Sequence, residues 1–193
     1  MSTTTKDAPT KNRRRPARGG SGPETTDEQN AEKGFTASAD LSANLQKVLV
    51  DLIELSLQGK QAHWNVVGKN FRDTHLVLDE VVDAAREFSD TIAERMRAIY
   101  ITPDGRAATV AAKSSLPTVP SKEVDTAETV DLITAALYAT AGTARRIHDE
   151  VDGEDPTSAD ILHTVLERLE QLAWMIDSEN RIANRSIPRP IHE

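Results

Sequence analysis

His75, Asp79, Asp90 and Glu94 have the types and the spacing to bind a metal ion, and all four fall within one stretch that reads as a helix. They form two pairs at i, i+4. That spacing sets two side chains on one helix face a turn apart, which is how a helix offers two ligands to one ion. Taken alone, each pair also suits an ordinary solvated face. The helical wheel carries more information. With His75 at zero and roughly 100° per residue, Asp79, Asp90 and Glu94 fall at roughly 40°, 60° and 100°. On the same wheel Leu78, Val81, Ala85, Phe88, Ile92, Met96 and Ile99 spread over roughly 220–300°. The ligand stripe therefore points nearly away from the face that the chain buries, unlike bundles whose metal ligands project inward.

Asp79 and Asp90 are eleven residues apart, about 16 Å along a helix axis. A ligand atom must lie about 2 Å from its metal, so one ion cannot use both pairs of a single helix. A second copy packed antiparallel about a two-fold axis near Ala84 and Ala85 would bring the 75/79 end of one helix to the 90/94 end of the other. Two equivalent mixed sites result from that isologous contact. His63 is the fifth candidate: twelve residues before His75, a short turn can carry it to the same end of the helix. A histidine beside Trp64 also suits a core position with its hydrogen bonds satisfied. Imidazole and carboxylate without sulfur suit Fe(II), with other divalent ions as rivals.

These residues need long helices to place them. A first helix is predicted from about 40 to 66, with Asp40 as N-cap and Leu41, Leu45, Val48, Leu49, Leu52 and Leu55 at helical spacing. Val50, Ile53, Leu57 and Trp64 form a second apolar stripe, so this helix needs two partners, one of which could be another subunit. After a short turn at 67–70 a second, antiparallel helix is predicted over 71–101. A third starts near Asp125, whose spacing to Glu128 resembles a capping box, and ends near Val151. Asp155-Pro156 supplies an N-cap and first-turn proline for a fourth, extending to about Ile182. The connection 102–122 is long for a structureless loop and could hold a short helix around 105–112. A long crossover between two short links is the connectivity of a ferritin-like four-helix bundle, so the fold class is all-α.

Composition agrees. With 193 residues, 4% aromatics and no cysteine, the chain suits one helical domain, 38–182, between a tail of 1–37 and a tail of 183–193. Thiolate metal sites and cysteine nucleophiles are excluded. No run approaches the roughly 18 apolar residues of a membrane span, and the N-terminus lacks the apolar stretch of a secretory signal, so a soluble, cytoplasmic protein is expected. The net charge of −8 is uneven: Lys11, Arg13, Arg14, Arg15 and Arg18 cluster in the tail, which leaves an acidic body suited to attracting cations.

The run Lys60-Gln-Ala-His63-Trp64-Asn65-Val66-Val67-Gly68, followed by Phe71, His75-x-x-x-Asp79 and Asp90-x-x-Ala93-Glu94-Arg95, resembles the signature of the Dps family, the DNA-binding proteins from starved cells. The resemblance covers roughly 38–182. It implies a dodecameric shell that oxidises Fe(II), preferentially with hydrogen peroxide, and stores ferric oxide inside. His63, His75 and Asp79 of one subunit would face Asp90 and Glu94 of a two-fold partner. Trp64 would lie beside that centre, quenching radicals or simply packing at the interface. Asp149, Glu150, Asp152, Glu154, Asp155 and Asp160 cluster where such proteins line ion pores, although a solvated loop explains them as well. His148 and His163, nearby, read as surface or core histidines. Twelve copies of the basic run would bind DNA through multivalency and associate the shell with the nucleoid. The acids Glu24, Asp27, Glu28 and Glu32 follow, and a tail of this kind equally suits a role in assembly or removal by clipping. The competing readings are a nucleoid-compacting protein in which iron is secondary and a purely structural helical oligomer.

Overall fold

A computed structural model describes Met1 and residues 34–182 of the chain. The basic run at 11–18, most of the 1–37 tail and the tail of 183–193 lie outside these residues.

Helix α1 spans Ala39–Asn65. Its N-cap is Ser38, whose hydroxyl accepts the Leu41 N–H at 3.0 Å. Asp40, expected in that role, sits in the first turn, where a carboxylate meets the positive end of the helix dipole. Gly68 at φ 116° and Asn70 at φ 60° then reverse the chain. Helix α2 runs over Phe71–Ala98, stopping three residues before the expected end. The Tyr100 N–H bonds to the Arg97 carbonyl and the Ile101 N–H to that of Met96, with Tyr100 left-handed at φ 65°. That is a Schellman stop, built here without the usual glycine.

The crossover contains α3, Ala107–Lys113, close to the short helix anticipated there. It is fastened to α1 at two places. The Gln46 amide pairs with both the N–H and the C=O of Asp104, at 2.9 Å each. Farther along, the buried Asp51 carboxylate accepts from the Ser115 N–H at 2.8 Å, the Ser115 hydroxyl at 2.6 Å and the Thr143 hydroxyl at 2.7 Å. One feature was not anticipated: β1 (Val66–Val67) pairs in parallel with β2 (Val124–Asp125), tying the α1–α2 turn to the start of the next helix.

Helix α4, Thr126–Glu154, is capped by Asp125, whose carboxylate accepts the Glu128 N–H at 2.9 Å as the sequence pattern predicts. It continues three residues past the expected end. Asp155 then serves two helices. Its N–H closes α4 on the Val151 carbonyl at 2.7 Å, and its own carbonyl accepts the N–H groups of Ser158 and Ala159, opening α5 at Pro156. Helix α5 ends at Asp177 in a 3-10 turn, Ser178–Asn180, rather than continuing to 182.

The α1–α2 and α4–α5 hairpins pack against each other, α1 on α4 and α2 on α5. Leu45, Leu52, Leu55, Leu78, Ile92, Met96, Ile133, Leu137, Leu162, Leu169 and Leu172 fill the space between them. This is the all-α four-helix bundle with a short crossover helix that the periodicity implied. Of the second apolar stripe on α1, Val50 is buried, Ile53 packs on Gly105, and Leu57 and Trp64 stay exposed.

Candidate metal centre

The α1–α2 hairpin sets His63 against His75, their ring centroids 3.6 Å apart and 28° from parallel. Each imidazole Nδ1 lies 3.1 Å from the backbone carbonyl oxygen of the other histidine. A carbonyl can only accept, so each Nδ1 carries the proton and donates. Both Nε2 atoms are thereby left with a lone pair, and no described residue hydrogen-bonds to either. Main-chain carbonyls that fix the tautomer and ring orientation are the usual support for metal-binding histidines. His63 is 8% exposed, so it is a core histidine as well as a candidate ligand. The Phe71 ring, 5.1 Å from that of His75, closes the pair from the turn side.

Asp79 lies one turn along α2. Its Oδ1 is 2.5 Å from the Lys60 ammonium and 3.2 Å from His63 Nδ1. The hydrogen bond from Lys60 holds the Asp79 carboxyl below the ordinary carboxylate value against a smaller desolvation effect, and the charge of the Lys60 ammonium adds to it. Lys60 belongs to the motif quoted above but has no role in the sequence reading. Its signal is its place three residues before His63, on the same face.

Asp90 and Glu94 are exposed on the same helix, toward its other end. Asp90 borders an open groove of about 350 Å³ lined also by Leu49, Ile53, Ala93, Pro103 and Gly105. The structure thus brings His63, His75 and Asp79 together and leaves Asp90 and Glu94 apart from them. Among the described residues no group of three or more His, Asp or Glu converges as a complete metal site. Trp64, next to His63 in sequence, is 72% exposed.

The acidic cluster at the α4–α5 junction is not uniform. Asp152 and Asp160 are exposed, and Asp160 Oδ1 stands 3.8 Å from His163 Nδ1. Glu154 accepts the N–H and the hydroxyl of Ser38 at 2.6 Å each. Asp155 is buried: Arg95, the neighbour of Glu94 on α2, donates to both its oxygens at 2.7–2.8 Å, and the Ser158 hydroxyl donates as well. Burial alone would raise the Asp155 pKa, but the hydrogen bonds from Arg95 and Ser158 and the Arg95 charge outweigh it and hold the carboxyl below its ordinary value. The His148 and His163 rings lie 4.3 Å apart beside this junction. Lys11, Arg13, Arg14, Arg15 and Arg18 fall outside the described residues.

Residues 42–184 match the family model described as a ferritin-like domain, which agrees with the bundle and its crossover. Among relatives, the DNA protection during starvation protein 2 of Deinococcus radiodurans is 37% identical over 135 residues, 68% of this chain and 55% of that protein. The chain therefore spans little more than half the length of that relative. The fine tangled pili major subunit of Haemophilus ducreyi is 38% identical over 68% of this chain and 70% of that one. A solved Dps from Microbacterium arborescens, in its high iron form, superposes with a TM-score of 0.70 at 31% identity, covering 76% of this chain and 98% of that one. The chain belongs to the Dps family of the ferritin-like superfamily. No helix among the described residues is long and apolar enough to cross a membrane.

Proposed function

We propose that the protein is a ferroxidase that stores its product: it oxidises Fe(II) at centres shared by two copies of the chain and retains ferric oxide inside a dodecameric shell. The observation that carries this reading is the reciprocal pair of Nδ1 bonds between His63 and His75, which leaves two oriented imidazole lone pairs beside a carboxylate. Such a set suits Fe(II) as substrate. Asp90 and Glu94 of a second copy complete it. Their exposure, and the mixed groove beside Asp90, suit a surface that another copy covers. The imidazoles hold Fe(II) without neutralising it, and the carboxylates stabilise the extra charge that develops as it becomes Fe(III). Hydrogen peroxide is the preferred oxidant. It takes one electron from each of two Fe(II) ions as its O–O bond breaks, and water supplies the remaining oxygen of the hydrated oxide while releasing protons. Removing Fe(II) and peroxide together suppresses radical damage to the cell and its DNA.

A nucleoid-compacting protein that uses the basic run is the competing reading. The histidine and carboxylate set favours iron, because DNA condensation has no use for it. The test is anaerobic loading with Fe(II) followed by peroxide. Ferric absorbance should rise rapidly in the native protein and at least about tenfold more slowly in the double variant Asp90→Ala with Glu94→Ala. Equal rates would refute the site assignment.

A further inference from the structure

We propose that the crossover is a releasable strap: residues 102–115 leave α1 as one unit while the bundle stays folded, and a second copy seated on the groove beside Asp90 selects the attached state. The role of the second copy rests on the shared-centre reading above. Val110 is the only buried side chain between residues 102 and 118, and neither it nor Val50 of α1 belongs to the main core cluster. Helix α3 therefore sits on a satellite of the core, the kind of segment that opens locally. At seven residues it is also too short to stay helical away from α1, so release and melting are a single step.

The attachments are polar. Arg97 reaches Thr102 at 3.5 Å at the root of the strap. Farther along, Gln46 holds both backbone groups of Asp104, and Asp51 holds the N–H and the hydroxyl of Ser115. Asp51 is 2% exposed, and its one link to a cation among the described residues passes through the Thr143 hydroxyl, which accepts from Arg146 at 2.9 Å. A carboxylate buried in this way bears a desolvation cost for as long as the strap covers it. Release exposes it to water, and the recovered hydration offsets the hydrogen bonds that break. The latches thus hold the strap without locking it. Its first residues matter to the site. Pro103 and Gly105 form one wall of the groove beside Asp90, and a Cβ added to Gly105 would stand 3.1 Å from Ile53 Cδ1. When the strap leaves, this wall leaves with it, and the face that a second copy covers changes shape.

The experiment is hydrogen exchange read by mass spectrometry on the assembled protein, with sizing of the same samples. Peptides from 106–115 should exchange at least about a hundredfold faster than those from the middle of α1 and α2, at rates that low guanidinium hardly changes. Gln46→Ala, which removes hydrogen bonds to the strap alone, and Asp51→Asn should each raise the strap rate about tenfold. Exchange of the strap in step with the core, or an unchanged strap rate in either variant, overturns the proposal. Gly105→Val tests the link to the second copy. Its side chain meets Ile53, so the strap should be released, the bundle should keep its helical circular dichroism, and assembly should need at least about tenfold more protein. Adding Ile53→Ala vacates the contact and should restore both strap protection and assembly. A protected strap in Gly105→Val overturns the seating on Ile53, and a released strap with native assembly overturns the role of the second copy. None of these readouts involves iron, so they stand or fall separately from the oxidation test on Asp90→Ala with Glu94→Ala.

Discussion

Gly59 offers the sharpest test of how the two ligand-bearing helices are packed. It lies in the middle of α1, one turn before His63, and a Cβ added there would stand 2.8 Å from Val82 Cγ2 and 3.9 Å from Val81 Cγ1. In an exposed helix Gly→Ala gains about 1 kcal/mol from backbone entropy. Here the gain is opposed. Carbon atoms attract best at about 3.5–4.0 Å, so roughly an ångström of movement is required. Val82 is fully buried and β-branched, so it has one strongly preferred rotamer and cannot turn aside. Overpacking of this kind costs about 1–3 kcal/mol. Gly59→Ala should therefore be less stable than the native protein by about 1 kcal/mol. Val82→Ala alone should cost about 2 kcal/mol through lost burial and a cavity. In the double variant the new methyl enters the vacated space, and the two costs should fall short of additivity by about 1–2 kcal/mol. Guanidinium unfolding followed by helical circular dichroism, at one fixed subunit concentration, measures all three. Strict additivity, or a Gly59→Ala protein stabilised by about 1 kcal/mol, would refute the close approach of α1 and α2.

Two further outcomes follow from features away from the histidine pair. The Asp155 pKa is lowered in the folded protein, so the stability it contributes is present above its ordinary value of 3.8 and is lost as pH falls through its folded value. Asp155→Asn should therefore be less stable than the native protein by about 1–3 kcal/mol at pH 7. The gap should shrink in unfolding curves taken below pH 3.8, and a constant gap would contradict the assignment. Deleting residues 1–20, with Lys11, Arg13, Arg14, Arg15 and Arg18, should abolish gel retardation of DNA at low salt and leave the rate of iron oxidation unchanged; retained retardation would place DNA binding elsewhere.

Helical periodicity made the bundle legible, because Leu45, Leu52, Leu78 and Ile92 recur on the faces that do meet. The ends were harder. Ser38 and Asp40 are both good caps two residues apart, and only the hydroxyl contact to Leu41 decides between them. Tyr100 hid the end of α2, since a left-handed stop is expected at glycine or asparagine. The β1–β2 pair is two residues long and joins segments far apart in sequence, so neither strand has a pattern of its own. At the centre, the spacing of each pair suited a solvated face as well, and the helical wheel was needed to set His75 and Asp79 on one stripe with Asp90 and Glu94. His63 by itself read more readily as a core histidine and turns out to be buried beside the first two. Lys60 was invisible for another reason: next to a helix end, a lysine reads as a solvated charge until the fold supplies Asp79. Asp155 was legible as the N-cap before Pro156 but not as a buried ion-pair partner, because Arg95 lies 60 residues away.

The sharing of Asp155 between α4 and α5 also governs where this chain can change length. A junction of one residue has no slack. Inserting a single residue there would turn α5 by about 100° about its axis relative to α4 and carry Leu162, Leu169 and Leu172 off the core together. The same insertion within 121–123, past the buried Val119 and before β2, would fall among exposed residues and enlarge a loop whose closure cost grows slowly with length. Gaps and additions are therefore tolerated on the crossover side of the bundle and excluded at the α4–α5 corner, so the phase between these two helices is as constrained as any side chain in the core.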